Sequence, residues 1–184
     1  ARLYDIQKIP KVLMLSGRKG QGKYTLIHHL ISYIFDKKNY DLREGIINRS
    51  NKLFQDLKEN YNPNIIYYGC NNKQVKIDDI RKLRADLQKT SINNSNRFII
   101  FDDVEYLNEN CVNALLKTIE EPSEVNFFIL INNQKQKLLK TLKSRSIELV
   151  VFLNNKEKLN IIKNLISDLK IEKKIEMNDT ILTP

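Results

Sequence analysis

Short continuous apolar runs alternate with longer amphipathic stretches along most of the chain. Continuous apolar runs bounded by turn residues are typical of strands that are buried on both faces. Apolar residues that recur every three or four positions are typical of helices that cover such strands. The predicted strands are residues 11–16, 65–68, 97–102, 127–131 and 147–153. The predicted helices lie at about residues 23–35, 50–60, 78–87, 109–120, 137–142 and from 154 onward.

The order of these elements predicts the fold class. Strands that alternate with helices imply a mainly parallel sheet covered by helices on both faces. We therefore predict an α/β fold with five parallel strands over residues 1–153. From residue 154 the chain becomes Lys-rich and amphipathic, with Leu159, Ile162 and Leu165 on one side. We expect residues 154–184 to begin a second, helical domain.

Composition narrows the class of protein. Of the 184 residues, 41% are hydrophobic and 29% are charged, which is typical of a soluble globular protein. No apolar run approaches the roughly 20 residues that span a bilayer, and residues 1–10 lack the layout of a secretion signal. Cys70 and Cys111 are the only cysteines, and they lie far apart in no metal-ligand spacing. We therefore expect a cytoplasmic protein without disulfides, zinc or a membrane partner.

The chain carries a net charge of +9, which leaves two explanations open. A basic surface is typical of proteins that bind a polyanion such as DNA. However, Asn, Lys and Ile are frequent along the whole chain, as an AT-rich genome would produce without selection for binding. Charge alone therefore does not decide between a DNA-facing surface and a solvated one.

A glycine-rich loop follows the first predicted strand. Gly17, Gly22 and Lys23 match the pattern G-x-x-x-x-G-K, with Gly20 between them. Glycines let backbone N–H groups turn toward phosphate oxygens, and the positive end of the next helix points at them. Lys23 is then expected to reach the β- and γ-phosphates of a nucleotide. Because the motif lies between a predicted strand and a predicted helix, it predicts a P-loop NTPase fold.

The residue after Lys23 departs from this pattern. A P-loop normally has Ser or Thr there, whose hydroxyl is a ligand of Mg²⁺, but this chain has Tyr24. A phenol oxygen lies several ångströms further from the backbone and cannot take the same place. Thr25 is turned by about 100° around the helix and is a poor substitute. We therefore expect a loop that can hold ATP but holds Mg²⁺ poorly, so that hydrolysis is weak or absent.

A pair of acids ends the third predicted strand. Asp102 lies at the carboxyl end of this strand, where ligands of open α/β sheets gather, and it resembles a Walker B acid that positions Mg²⁺. Asp103 stands where an active ATPase usually has Glu to polarise the attacking water. Aspartate is one methylene shorter, and a misplacement of about 1 Å can slow a reaction about 100-fold. An Asp pair could also cap the next turn, but together with the P-loop it favours a nucleotide site.

Two further stretches follow the acidic strand. Residues 113–122 read NALLKTIEEP, and residues 144–146 read SRS. These stretches resemble the AAA+ clamp-loader family, which has Ser-Arg-Cys at the second of them. Residues 77–83, before the acidic strand, are also similar to the family. The resemblance covers about residues 10–153 and implies an AAA+ fold followed by a lid domain and a C-terminal oligomerisation domain. We expect the chain to end within the lid and before the oligomerisation domain.

The resemblance assigns roles to four residues. Lys23 matches the P-loop lysine, Asp102 the Walker B acid and Asn132 the polar "sensor 1" residue. Arg145 matches the arginine that clamp loaders offer to the ATP site of a neighbouring subunit. A guanidinium offers a bidentate fork and suits the developing charge on a transferred phosphoryl group. An arginine at this position could otherwise bind the C-terminal carbonyls of a helix.

The chain also departs from the family. Delta-prime and tau/gamma subunits usually carry a four-cysteine zinc module after the first helix, but residues 40–65 contain no cysteine, so structural zinc is not expected. The altered phosphate loop favours the delta-prime type, which resembles a nucleotide-silent partner in many bacteria. His28 and His29 lie on the first helix, where we expect one to pack and the other to be solvated.

The resemblance therefore implies a delta-prime-like subunit of the DNA polymerase III clamp loader, which helps to load the sliding clamp onto primed DNA. Its expected partners are the tau/gamma and delta subunits, the clamp, and DNA through the assembled complex. ATP and Mg²⁺ are the candidate cofactors. Two alternatives stay open, namely an ATP-hydrolysing tau/gamma-type motor and a DNA-binding AAA+ module that uses the net positive charge.

Overall fold

The computed structural model describes residues 2–47, 62–70, 75–88 and 95–169. Its helices are α1 (Arg2–Asp5), α2 (Lys23–Phe35), α3 (Ile77–Gln88), α4 (Glu109–Ile119), α5 (Lys140–Ser144) and α6 (Asn155–Leu169). Its strands are β1 (Val12–Ser16), β2 (Tyr40–Asp41), β3 (Ile46–Ile47), β4 (Ile65–Gly69), β5 (Arg97–Asp102), β6 (Asn126–Asn132) and β7 (Ile147–Val150). Short 3₁₀ turns at Lys37–Asn39 and Val104–Tyr106 follow α2 and β5.

Five of these strands form one sheet in the order β4-β5-β6-β1-β7. Every neighbouring pair in this sheet is parallel, as predicted. The strands β2 and β3 form a separate antiparallel pair. Ser16 pairs with Asn132, and Asp102 pairs with Ile131, so the carboxyl ends of β1, β5 and β6 lie side by side. The loops that follow these three strands therefore meet at one edge of the sheet.

The central strands are apolar throughout because both of their faces are covered. In β5, Phe98 and Ile100 pack in a cluster with residues of α2, whereas Ile99 and Phe101 pack in a second cluster with residues of α3 and α4. All four side chains are almost inaccessible to solvent. Burial of such a side chain contributes about 1.5–3 kcal/mol, so this two-sided sheet is the main source of stability. The prediction of strands covered on both faces is confirmed.

The edge strand β7 is shorter than predicted. The sequence pattern predicted a strand over residues 147–153, but β7 ends at Val150. The backbone N–H of Val151 still donates to the carbonyl oxygen of Ser16 at 2.8 Å. The N–H of Leu153 then donates to the side-chain oxygen of Gln21 at 2.6 Å. The end of the apolar run therefore leaves the sheet and packs beside the phosphate loop.

Several short elements also differ from the sequence prediction. The helix predicted at 137–142 is wrong in its bounds, because α5 spans Lys140–Ser144 with Leu142 as its one buried side chain. One buried apolar residue gives no helical periodicity from which the ends of the helix could be predicted. The helix α1 and the pair β2–β3 were not predicted, since elements of two to four residues carry no periodicity. The helix predicted at 50–60 lies outside the described residues.

The last described helix, α6, begins at Asn155, one residue after the predicted start of a second domain. The division of the chain at residues 153 and 154 stays a prediction. Across the ranges that the structure describes, no helix combines the length and the apolar character needed to cross a bilayer.

Candidate functional site

The glycine-rich loop follows β1 and leads directly into α2. The N–H of Gly17 donates to the carbonyl oxygen of Asn132 at 3.1 Å, which fixes the start of the loop against β6. A Cβ atom at Gly17 would lie 2.3 Å from the carbonyl oxygen of Val151, so only glycine fits there. Gly20 and Gly22 adopt left-handed conformations with φ of 80° and 77°, which side chains disfavour. The glycines are thus required by the shape of the loop.

Lys23, the first residue of α2, turns its ammonium group into the loop. Its Nζ donates to the carbonyl oxygens of Gly17 and Arg18 at 2.6 Å and 2.8 Å. The side chain is 4% exposed. Burial lowers the pKa of Lys23, and the negative charge of Asp102 opposes this shift. Lys23 and Asp102 therefore lie at the same edge of the sheet. A phosphate bound in the loop would have to compete with the two carbonyl oxygens for the ammonium group of Lys23.

Asp102, at the end of β5, has hydrogen bonds on both carboxylate oxygens. Its Oδ2 accepts from the hydroxyl of Tyr67 at 2.7 Å. Its Oδ1 accepts from the N–H of Asp103 at 2.8 Å and from the amide of Asn133 at 3.2 Å. Burial and the hydrogen bond to Asp102 raise the pKa of Tyr67, so its hydroxyl stays protonated and donates. The acid is thus held by three donors from its own chain.

Asp103 is fixed in a different way. It has a left-handed backbone with φ of 57° and a buried side chain. Its carboxylate accepts a hydrogen bond from Asn133 at 2.7 Å and lies 3.1 Å from the ammonium group of Lys135. A carboxylate that is already paired with a lysine is poorly suited to polarise a water molecule.

Asn132 and Asn133 have different partners. The amide of Asn132 donates to the hydroxyl of Ser16 at 3.4 Å, and its oxygen accepts from the N–H of Gln134 at 3.0 Å. Asn132 thus joins the ends of β1 and β6, while Asn133 is the residue that bonds both acids. The resemblance to the clamp-loader family selected Asn132 as the polar "sensor 1" residue, and Asn133 was not considered. The repeated asparagine is the signal that could have identified both.

Glu105 is a further buried acid that the sequence analysis missed. Its carboxylate accepts from the backbone N–H groups of Asn133 and Lys135, at 3.1 Å and 3.3 Å. The turn after β5 is thereby joined to the turn after β6. Glu105 is separated from Asp103 by one residue, and this short acidic spacing was its signal in the sequence.

Tyr24 lies on the first turn of α2 with 42% of its surface exposed. Its ring contacts that of His28, with centroids 4.4 Å apart, and meets the edge of Tyr67 at 6.0 Å. Burial raises the pKa of Tyr24, and the negative charge of Asp102 raises it further. Thr25 is exposed on the next position of the helix. His28 and His29 are both half-buried, so the expectation that one is solvated is wrong.

The residues at this edge fit a phosphate group better than a divalent cation. The left-handed glycines and the start of the 13-residue helix α2 provide the backbone shape and positive end that favour an anion. A hard cation needs oxygen ligands with free lone pairs. Tyr24 replaces the usual hydroxyl ligand, and three hydrogen bonds leave the Asp102 carboxylate at most about one of its roughly four lone pairs. In the described ranges, no three His, Cys, Asp or Glu residues group as a metal site, and the absence of zinc stays a prediction.

Arg145 lies at the end of α5, where it is the C-cap residue and its side chain is 40% exposed. Its Nε donates to a carboxylate oxygen of Glu120 at 2.6 Å. Its Nη1 donates to the carbonyl oxygen of Thr141, one turn back in the same helix, at 3.3 Å. Within the described residues these bonds do not join Arg145 to Lys23 or Asp102. The arginine therefore has a helix-capping bond and is also open to a neighbouring molecule.

Comparisons with known proteins agree with the sequence resemblance. A family model described as "DNA polymerase III, delta subunit" matches residues 1–167. The chain is 30% identical over 165 residues to DNA polymerase III subunit delta' of Buchnera aphidicola subsp. Schizaphis graminum, covering 89% of this chain and 49% of that protein. It is 27% identical to the gamma subunit of the same organism, covering 89% of this chain and 44% of that protein. The chain thus spans about half the length of these curated relatives.

Solved structures support the fold. A DNA polymerase III gamma subunit-related protein from Thermotoga maritima matches with a TM-score of 0.59 at 20% identity, covering 92% of this chain and 52% of that one. The RuvB Holliday junction branch migration motor from the same organism matches with a TM-score of 0.56 at 19% identity, covering 93% and 48%. The AAA+ P-loop fold and the resemblance to delta-prime-type clamp-loader subunits are confirmed. Because the family model spans residues 1–167, this chain belongs to the DNA polymerase III delta-subunit family.

Proposed function

We propose that this chain acts as a delta-prime-type subunit of a clamp loader in DNA replication. In this role it offers Arg145 to the ATP site of a neighbouring subunit and hydrolyses little or no ATP itself. The proposal rests on a contrast between two residues of this chain. Asp102, the acid expected to hold Mg²⁺, accepts hydrogen bonds from three donors of its own chain, whereas Arg145 lies at the surface.

The chain's own nucleotide site supports binding better than hydrolysis. Hydrolysis needs a cation near Asp102 and a free acid to orient water. Here the hydroxyl of Tyr67 bonds Asp102, and Lys135 pairs with Asp103. Lys23 remains able to contact a phosphate once it leaves the carbonyls of its own loop. The site can thus bind a nucleotide within an assembly without hydrolysing it.

Arg145 has the chemistry and the exposure that a residue acting in a second chain requires. Its guanidinium is always charged and presents several N–H groups in one plane. Glu120 holds Nε and the Thr141 carbonyl holds Nη1, so the orientation of the plane is fixed although the group is exposed. A preoriented charge lowers the cost of stabilising a phosphoryl transfer in the neighbouring site.

The proposed partners follow from the family. They are the tau/gamma and delta subunits, with the sliding clamp and primed DNA contacted through the assembled complex in the cytoplasm. The net charge of +9 is consistent with a DNA-facing surface in such a complex.

The test is ATP hydrolysis by the reconstituted full-length assembly in the presence of clamp and primed DNA. Arg145→Ala is expected to lower the rate about 10-fold or more, as removal of a trans-acting arginine does. Arg43→Ala is the matched control, because Arg43 is an exposed arginine in the turn between β2 and β3. An unchanged rate with Arg145→Ala would remove the proposed trans role.

The similarity to a gamma subunit supports a second candidate, an ATP-hydrolysing motor subunit. The two candidates differ in the behaviour of the full-length protein alone. Steady turnover of Mg-ATP by the isolated wild-type protein would favour the motor. Turnover that appears only after Tyr24→Thr would favour the non-hydrolysing subunit.

A further inference from the structure

Tyr67 occupies a position that the sequence motifs do not describe. It lies on β4, the strand next to β5, and pairs in register with Ile100, two residues before Asp102. From there its side chain reaches along the sheet to the carboxyl end of β5. Its hydroxyl donates to Oδ2 of Asp102 at 2.7 Å, the distance of a direct hydrogen bond. The phenol oxygen therefore lies where a cation, or a water bound to a cation, would meet this acid.

Tyr24 supports Tyr67 in this position. The two rings meet edge to face with centroids 6.0 Å apart, an arrangement that aromatic pairs prefer. His28 packs on Tyr24 one helical turn further along α2. Tyr67 thus cannot swing away from Asp102 without losing its contact with Tyr24. The residue that replaces the usual Mg²⁺ ligand therefore also helps to hold a second tyrosine on the Walker B acid.

We infer that Tyr67, supported by Tyr24, excludes divalent cations from Asp102, so that the phosphate loop takes a nucleotide polyphosphate without Mg²⁺. This inference rests on the proposed non-hydrolysing function and names the residue pair that causes it. Oδ1 of Asp102 is also a poor ligand for a cation, since the N–H of Asp103 and the amide of Asn133 both donate hydrogen bonds to it. A cation would have to compete at Asp102 with charge-assisted hydrogen bonds, which are stronger than neutral ones.

The structure predicts how nucleotide affinity depends on Mg²⁺. The dissociation constant of a fluorescent ATP analogue is measured for the full chain in buffer with Mg²⁺ and in buffer with EDTA. For the wild type the two values should agree within about twofold, because three hydrogen bonds leave Asp102 at most about one of its roughly four lone pairs for the cation. The double variant Tyr24→Thr/Tyr67→Phe restores a short hydroxyl and frees Asp102. It should bind at least about 10-fold more tightly with Mg²⁺ than with EDTA.

Tyr68→Phe is the matched control. Tyr68 is the next residue of β4, and its ring stacks on Phe101 in the core on the opposite face, with centroids 4.9 Å apart. Its hydroxyl is lost without any change at Asp102, so this variant should behave as the wild type. Thermal unfolding of each variant confirms that the fold is retained.

Two results would overturn the inference. One is a wild-type protein that binds the analogue 10-fold more tightly with Mg²⁺. The other is a folded double variant that gains no preference for Mg²⁺. The second result decides the matter even if the wild type binds the analogue in neither buffer. Neither result depends on Arg145. The proposed role of Arg145 in a neighbouring ATP site can therefore be disproved while this inference stands, and this inference can be disproved while that role stands.

Discussion

Arg145 Nε lies 2.6 Å from Oε1 of Glu120, and each residue is the C-cap of its own helix, α5 and α4 respectively. The block that contains Glu120 and the SRS motif that contains Arg145 are separated in sequence by more than twenty residues. The ion pair brings the block and the motif together at the protein surface. The NALLKTIEEP block and the SRS motif, two of the stretches that resemble the clamp-loader family, therefore meet in a single contact.

Glu120→Gln is expected to weaken the trans effect of Arg145 without unfolding the protein. Loss of the negative charge weakens one of the two bonds that orient the guanidinium, because the amide oxygen of Gln accepts a weaker hydrogen bond than a carboxylate does. Hydrolysis by the reconstituted assembly should fall about 3- to 10-fold, less than with Arg145→Ala, because the arginine is kept but is less well oriented. The free energy of unfolding should change by less than about 1 kcal/mol, since the pair is exposed.

Glu121→Gln is the control for this variant, because the adjacent Glu121 makes no ion pair with Arg145. Equal rates for Glu120→Gln and Glu121→Gln would contradict a positioning role for Glu120. Glu120→Asp should give an intermediate rate, since it keeps the charge at a greater distance.

Gly17→Ala should be more destabilising than Gly22→Ala. At Gly17 the new Cβ would lie 2.3 Å from the carbonyl oxygen of Val151, and a backbone obstacle cannot move aside easily. A cost of about 3 kcal/mol in the free energy of unfolding is expected. At Gly22 nothing lies within 4 Å, and only the left-handed backbone is strained. The expected cost there is about 1 kcal/mol. Urea unfolding of both variants measures the difference, and equal costs would be inconsistent with the close approach of Val151.

Stability should decrease as the pH falls through about 6.5, the ordinary histidine pKa. Burial lowers the pKa of both His28 and His29, and the charge of His29 lowers that of His28 further. At pH values between the lowered histidine pKa values of the folded protein and about 6.5, the unfolded chain binds more protons than the folded chain. The contribution of the neutral histidines to the free energy of unfolding is therefore fully present only above this pH range. These are the two histidines of the chain, and carboxyl groups ordinarily titrate at lower pH.

The measurement is the urea midpoint of the wild type and of His28→Gln/His29→Gln between pH 7.5 and pH 5.5. The double variant should lose most of the pH dependence in this range. A slope that persists unchanged in the double variant would assign the effect to other groups.

Neither thiol of the native protein should react quickly with Ellman's reagent at pH 8. Cys70 and Cys111 are both buried, and burial raises the pKa of Cys70 to about 12. The thiolate is the reactive form, so both burial and the raised pKa slow the reaction. Two thiols per chain should react in urea. Asn113→Cys provides an exposed thiol on α4 as a positive control, and rapid labelling of native wild type would contradict the described core.

The sequence pattern predicted the long elements well and the short ones poorly. The strand β5 and the helix α2 have the predicted bounds, because continuous burial and helical spacing extend over their whole length. The helix α5 has one buried residue, Leu142, so its ends depend on local hydrogen bonds that periodicity does not register. The exposed end of the run at 147–153 shows that an apolar run does not by itself distinguish a strand from the segment that leaves it.

The candidate site was predicted in part. Lys23, Asp102 and the glycines lie at one edge because parallel strands bring their carboxyl ends together, which the predicted parallel sheet already implies. Tyr67 and Asn133 were missed for the same physical reason. Their partners are on other strands, so the contact depends on register and side-chain direction.

The residues of the chain by themselves determined a parallel sheet covered on both faces, a phosphate loop without its usual hydroxyl, and a family signature around Arg145. These depend on hydrophobic spacing and on residue types at fixed separations, which are local properties. Only the tertiary structure decided that Tyr67 bonds Asp102, that Lys135 pairs with Asp103, and that Glu120 holds Arg145. Each of these contacts joins residues at least twenty-five positions apart, and it exists only because strand register and helix packing bring their side chains within hydrogen-bond distance.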